Sequence, residues 1–217
     1  LFKLTLAQKL GSYIVPVRVW KGSSAENPVL ELFYFRGEWQ LGTEDALYSD
    51  GTRYRPLTEG FSQVKDELGN MKKILMLGAG LGSAATILDK MGYHPEFTLI
   101  DIDEVVLEWT AQLLPSQLLT SCQLVASSAD RFIKDTPHTW DLIIIDIFKG
   151  RSIPSFVSSE EFLTDCKQHL APNGHLIANY MVNNQTEWET FFPTFSTVFQ
   201  QVNVTELGIN RVLVAKV

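Results

Sequence analysis

Cysteine is scarce in this sequence: Cys122 and Cys166 are the only two in 217 residues. Two cysteines without metal-ligand spacing make no disulfide framework, and both read as buried free thiols. The four histidines, His94, His138, His169 and His175, include no helical i, i+4 pair, so no zinc site and no metal is expected. Positive charge is short as well, with 18 Lys and Arg against 25 Asp and Glu and a net charge of −7. Binding nucleic acid needs a basic face, so no nucleic-acid partner is expected, whereas an acidic surface suits a small cationic amine. Long apolar runs are missing too. None approaches the length of a membrane-spanning helix, and the opening residues lack the charged-then-apolar order of a secretory signal. No membrane association is expected, and the expected location is cytoplasmic. Internal repeats and low-complexity segments are also missing.

What is present divides into two regions. Residues 1–61 are β-rich and aromatic: Tyr13 to Trp20 alternates in part, Val29 to Phe35 is strand-like, and Arg36-Gly37 turns into Glu38 to Leu41. These read as the hairpins of a small N-terminal β module. Ser49-Asp50-Gly51-Thr52 is turn chemistry, followed by a helix that carries the chain to Gly69-Asn70. Residues 62–217 then alternate strand and helix. The expected strands are Lys73–Leu77, Thr98–Asp101, Cys122–Val125, Leu142–Ile147 and His175–Asn179, apolar enough to be parallel strands covered on both faces. The expected helices are Ser83–Met91, Glu104–Leu114, Ala129–Lys134 and Ser159–Leu170, the last opened by a Ser158–Glu161 capping box. A helix near Thr186–Phe199, interrupted by Pro193, leads to a closing hairpin, Gln201–Leu207 and Arg211–Val217. The fold class is therefore α/β: a Rossmann-like, mainly parallel seven-stranded sheet with an antiparallel C-terminal hairpin, preceded by the β module.

Three strand ends carry candidate chemistry. Ile74 to Leu77 runs into Gly78-Ala79-Gly80-Leu81-Gly82 and then into a helix beginning at Ser83. Glycines suit a tight turn that a ligand approaches closely, and Ser83 replaces the third glycine of a dinucleotide fingerprint. That favours an adenosyl-sulfonium ligand over a pyrophosphate and disfavours an NAD-dependent oxidoreductase; a plain strand–helix turn is the alternative. Asp101 ends the next strand about twenty residues later, where a carboxylate can accept both ribose hydroxyls. Asp103 reads equally as a helix cap or a ligand contact. Asp146 stands at the end of the fourth strand, where it can hold a cationic amine or take its proton. Asp141, at the start of that strand, reads as structural, and Phe148 as pocket wall or core.

The stretch from Trp39 to Met181 resembles the spermidine synthase family, especially its bacterial spermidine-synthase-like branch. The run Ile74 to Ser83 is similar to the family's glycine loop, with Met76 where classical methyltransferases usually place an acid. Ile100 to Val106 resembles its acid-isoleucine-aspartate-glutamate segment. Asp146 to Pro154, then Glu161-Phe162-Leu163, resembles its catalytic loop, and Leu170 to Gly174 and the N-terminal β module also fit. The resemblance implies a transferase that takes S-adenosylmethionine or decarboxylated S-adenosylmethionine as co-substrate, acts on a small molecule and forms a homodimer. It implies nucleoside contacts from Gly78, Ala79, Gly80, Gly82, Asp101, Ile102, Ser128, Ala129 and Asp130, with Asp146 as base or amine anchor and Tyr54 as gate. Exposed Phe33, Phe35 and Trp39 would form the dimer contact.

The chain departs from the family at four places. Leu81 replaces a loop aspartate, Lys149 replaces a second active-site aspartate, Ser128 takes the place of an adenine-contacting aspartate beside Asp130, and Tyr54-Arg55-Pro56 keeps only the tyrosine of its motif. These departures make an unmodified diamine such as putrescine an unexpected acceptor. They also keep open a noncatalytic nucleoside-binding or interaction protein that has lost the polyamine site.

Overall fold

The computed structural model describes residues 2–114 and 118–217. It opens with α1 (Leu6–Gly11), a short helix that the β-rich pattern concealed. Thr5 and Gln8 form a reciprocal capping box at its start. Then β1 (Val17–Gly22), β2 (Leu30–Phe35), β3 (Glu38–Gly42) and β4 (Leu47–Ser49) form an antiparallel sheet in chain order. After a 3-10 turn at Gly51–Arg53, α2 (Arg55–Gln63) runs past residue 61 and packs on the larger sheet, with a second 3-10 turn at Leu68–Asn70.

The larger unit alternates as its pattern predicts: β5 (Lys73–Leu77), α3 (Ser83–Lys90), β6 (Glu96–Asp101), α4 (Glu104–Leu113), β7 (Cys122–Ala126), α5 (Ala129–Asp135), β8 (Trp140–Ile145), α6 (Glu160–Gln168), β9 (Leu170–Met181), α7 (Gln185–Val198), β10 (Val202–Leu207) and β11 (Asn210–Lys216). The sheet order is β10-β11-β9-β8-β5-β6-β7, parallel from β9 to β7 and antiparallel at β11 and β10. The order reverses between β5 and β8, and open α/β sheets hold ligands at such a switch point, outside the carboxyl ends of the strands.

The strands are apolar on both sides because both sides are covered. Leu75, Leu77, Ile143, Ile145 and Leu176 meet α5, α6 and α7, while Ile74, Met76, Leu99, Leu142, Ile144 and Ile177 meet α2 and α3. A third cluster joins the two units: Leu30, Leu32 and Leu41 of the small sheet pack on Leu81, Val106 and Trp109. Each fully buried Leu there contributes about 1.5–3 kcal/mol, so this packing fixes the small sheet beside the glycine turn. Among the described residues, no helix is long and apolar enough to cross a membrane.

Four expectations change. Ser159, not Ser158, caps α6, accepting a bond from the Phe162 N–H. α7 passes through Pro193 unbroken; Pro193 and Glu189 lie on its exposed face, so the carbonyl the proline frees is not buried without a partner. Phe33, Phe35 and Trp39 are half-buried rather than exposed, Trp39 packing on Phe2 and Tyr34. Exposed apolar side chains instead gather at Leu6, Leu10, Tyr13, Ile14 and Val15. Both thiols were expected to be buried; Cys166 is, whereas Cys122 is only half-buried.

Candidate active site

A cavity of about 280 Å³ opens at the switch point. Its floor is the turn after β5. Gly78, Gly80 and Gly82 all have positive φ, at 92°, 49° and 73°. The protein itself also crowds them: a Cβ at 78 would overlap the Asp146 carbonyl, one at 80 would overlap the Ser49 hydroxyl, and one at 82 would press on Leu114.

The amides of this turn are all engaged. The N–H groups of Gly78 and Ala79 both donate to the Ile100 carbonyl at 2.9 Å, that of Gly80 to Asp101 Oδ2 at 3.1 Å, that of Leu81 to Ser49 Oγ at 2.8 Å and that of Gly82 to the Ala79 carbonyl at 2.9 Å. A phosphate-binding loop works by pointing free N–H groups at the anion. This loop has none to point between Gly78 and Gly82.

Asp101 ends β6 at one wall. Oδ1 accepts the Asp103 N–H at 3.0 Å and Oδ2 the Gly80 N–H. A carboxylate has about four acceptor sites, so each oxygen keeps capacity for a hydroxyl. Burial pushes this carboxyl up to about 6, against the backbone donors of Asp103, Gly80 and Ile102 that pull it down. Ile102, Ser127, Ser128 and Ala129 continue the wall, and Phe148, Pro154 and Phe156 close it with apolar surface.

Asp146 follows β8 directly, on the opposite side of the floor. Its Oδ1 accepts from Tyr54 Oη at 3.1 Å and Asn179 Nδ2 at 2.9 Å, and Asn179 Nδ2 also reaches Tyr54 Oη at 3.2 Å. Register explains the meeting, since Ile145 pairs with Ala178 across β8 and β9 and so sets Asp146 beside Asn179. Oδ2 takes no hydrogen bond from a described residue. Burial lifts the Asp146 carboxyl to about 6 despite these two donors. It also holds the Tyr54 phenol well above its ordinary value, helped by the Asp146 charge, so Tyr54 stays a donor.

Of the residues expected from the sequence, Gly78, Gly80, Asp101, Ile102, Ser128, Ala129 and Asp146 line this one cavity. Ala79 is buried beneath the turn, Gly82 caps α3, Asp130 lies on the first turn of α5 away from the lining, and Tyr54 stands behind Asp146. Asp103 is the cap of α4: Oδ1 takes the Val105 and Val106 N–H groups, and Oδ2 takes Asn27 at 2.7 Å and the Ser24 hydroxyl. Asp141 ties the start of β8 to the Lys72 and Lys73 amides. Residues that the sequence reading missed join the lining from the N-terminal module, namely Glu26 and Asn27 of the loop between β1 and β2 and Tyr48 of β4. Tyr48 Oη accepts the Gly150 N–H and so fastens the loop after β8.

The family model for the spermine/spermidine synthase domain matches residues 59–208. The chain belongs to the spermine/spermidine synthase family. It is 26% identical over 150 residues to a polyamine aminopropyltransferase of Vibrio vulnificus, covering 66% of this chain and 50% of the relative. To the polyamine aminopropyltransferase of Sulfolobus acidocaldarius it is 29% identical over 148 residues, 63% of this chain and 48% of that one. The chain thus spans about half the length of the curated relatives it matches. In fold it is similar to a probable spermidine synthase from Corynebacterium glutamicum (TM-score 0.71, 17% identity, 93% of this chain and 80% of that one). It is also similar to a spermidine synthase in complex with the transition-state analogue AdoDATO (TM-score 0.67, 19% identity, 92% and 72%). Human methyltransferase-like protein 13 shares the fold as well (TM-score 0.64, 16% identity, 76% and 81%). Of the positions at which the sequence departs from the pattern it resembles, Leu81 is buried against the small sheet, and Lys149 stands on the cavity's rim.

Proposed function

We propose that this spermidine-synthase-like protein binds an adenosyl-sulfonium co-substrate, S-adenosylmethionine or its decarboxylated form, and transfers an aminopropyl or methyl group to a small-molecule acceptor. The observation that carries this reading is the pairing of a glycine turn without a free amide with a carboxylate, Asp101, that keeps open acceptor capacity beside it. Such a floor suits an uncharged nucleoside with two ribose hydroxyls and not a pyrophosphate. Ser128 and Ala129 would border the adenine, between Ile102 and Phe156.

A sulfonium supplies its own leaving group: the acceptor's lone pair forms the new bond to carbon as the carbon–sulfur bond breaks and a neutral thioether departs. The protein's part is to align the acceptor and remove its proton. Asp146 suits that second task, with Oδ1 held by Tyr54 and Asn179 and Oδ2 open for the proton. Its raised pKa of about 6 keeps it ionised at neutral pH while making it a better base than an ordinary carboxylate.

Binding without turnover is the second reading. It is favoured by Leu81, which offers an apolar side chain to the small sheet where the family has an acid. Homodimer formation is proposed through the exposed Leu6, Leu10, Tyr13, Ile14 and Val15, and light scattering tests it.

Thermal-shift measurement against S-adenosylmethionine, decarboxylated S-adenosylmethionine, methylthioadenosine and NAD tests the ligand class, since a native-state ligand raises the melting temperature. Stabilisation by the adenosyl-sulfur compounds and not by NAD is expected; stabilisation by NAD alone would overturn the reading. Product analysis with each donor then separates transfer from binding alone.

A further inference from the structure

Lys149 is the only cation among the described residues that line the cavity. Its Nζ lies 3.9 Å from Oε2 of Glu26, too far for a hydrogen bond, and neither side chain takes a hydrogen-bond partner among the described residues. The backbone beneath Lys149 is nonetheless tightly held. Lys149 and Ser152 exchange N–H···O bonds of 2.8 and 3.1 Å, and the Gly150 N–H between them is bound to Tyr48. Glu26 is placed independently: its own N–H donates to Ser24 Oγ, and its neighbour Asn27 is fixed to Asp103. Two opposite charges therefore face each other across the mouth on separately anchored segments, loosely paired and with their donor and acceptor capacity open.

That arrangement matches a zwitterion. An ammonium can bond Glu26 while a carboxylate on the same carbon bonds Lys149. A simple ammonium end would satisfy Glu26 and meet repulsion from Lys149. We infer that the cavity receives an α-amino-acid end, with Lys149 as the specificity-determining contact for its carboxylate. This rests on the adenosyl-sulfonium reading above. Two molecules can bring such an end: a donor that retains its carboxylate, or an amino-acid acceptor.

Calorimetric titration of the wild type and Lys149→Ala with compounds that differ at one end tests it. Methylthioadenosine, decarboxylated S-adenosylhomocysteine and S-adenosylhomocysteine form the donor arm. Putrescine and its carboxylated counterpart ornithine, each titrated with methylthioadenosine at saturation, form the acceptor arm. In at least one arm the carboxylated member is expected to bind about tenfold or more tightly than its decarboxylated partner. That preference should vanish in Lys149→Ala while methylthioadenosine affinity stays unchanged. The arm in which it is seen identifies the source of the carboxylate. No preference in either arm, or a preference that survives the substitution, would overturn the inference and leave the nucleoside reading standing. Failure of methylthioadenosine to bind the wild type would remove the nucleoside reading itself, and the inference with it.

Discussion

Asn179 Nδ2 donates to Oδ1 of Asp146 at 2.9 Å, tying the end of β8 to the adjacent parallel strand β9. The same amide group touches Tyr54, so one side chain orients both neighbours. Asn179 is thus a positioning residue. Asn179→Leu removes a donor that favours ionised Asp146, so the Asp146 pKa should rise further above about 6. Transfer at pH 7 is expected to drop about tenfold, recovering toward wild type as pH rises, with the donor KM little changed. A pH-independent loss would refute positioning through Asp146.

Asp101 is expected to hold the nucleoside. Asp101→Ala should remove charge-assisted hydrogen bonds worth about 1.5–3 kcal/mol, a tenfold to hundredfold loss in methylthioadenosine affinity. Calorimetry on the two proteins decides it, and equal affinities would take Asp101 out of the site.

Asp146→Asn should abolish transfer and yet stabilise the ligand-free protein. The folded-state pKa, about 6, lies above the ordinary 3.8, so between those values the folded protein binds the extra proton. Stability is therefore lost as pH rises through that window, by up to about 3 kcal/mol once Asp146 is fully ionised. An asparagine avoids that cost. Urea unfolding of both proteins should show near-equal stability at pH 4 and a gap that opens toward pH 7 in favour of the variant. A variant weaker than wild type at pH 7 would contradict this.

An acid at position 81 should destabilise the fold. Leu81 is buried among Leu30, Leu41, Val106 and Trp109. Leu81→Asp would place an unpaired carboxylate there, at a cost of about 3 kcal/mol or more. Denaturant unfolding should register that loss, and an unchanged midpoint would mean that the side chain at 81 escapes to the cavity.

Much of the large sheet and its two acids was legible because local chemistry marks them: an apolar run, then glycines or an aspartate at its carboxyl end. Asn179 closes the expected strand His175–Asn179, but nothing local gives its amide a role, and only the β8–β9 register brings it to Asp146. Glu26, Asn27 and Tyr48 were hidden for a different reason. Their place depends on the docking of Leu30, Leu32 and Leu41 on Trp109, a contact between segments far apart in sequence. The short helix α1 was missed although Thr5 and Gln8 carry its capping signal, because the aromatic alternation downstream outweighed it.

The glycine turn has a consequence for ancestry. At 78 a side chain would strike the Asp146 backbone, and at 80 the side chain of Ser49, whatever does or does not lie above. The signature most readily taken as a mark of function is thus demanded by the scaffold's own assembly. A descendant of this protein that abandoned chemistry altogether would shed Asp146 long before its glycines, and would carry the motif as a fossil.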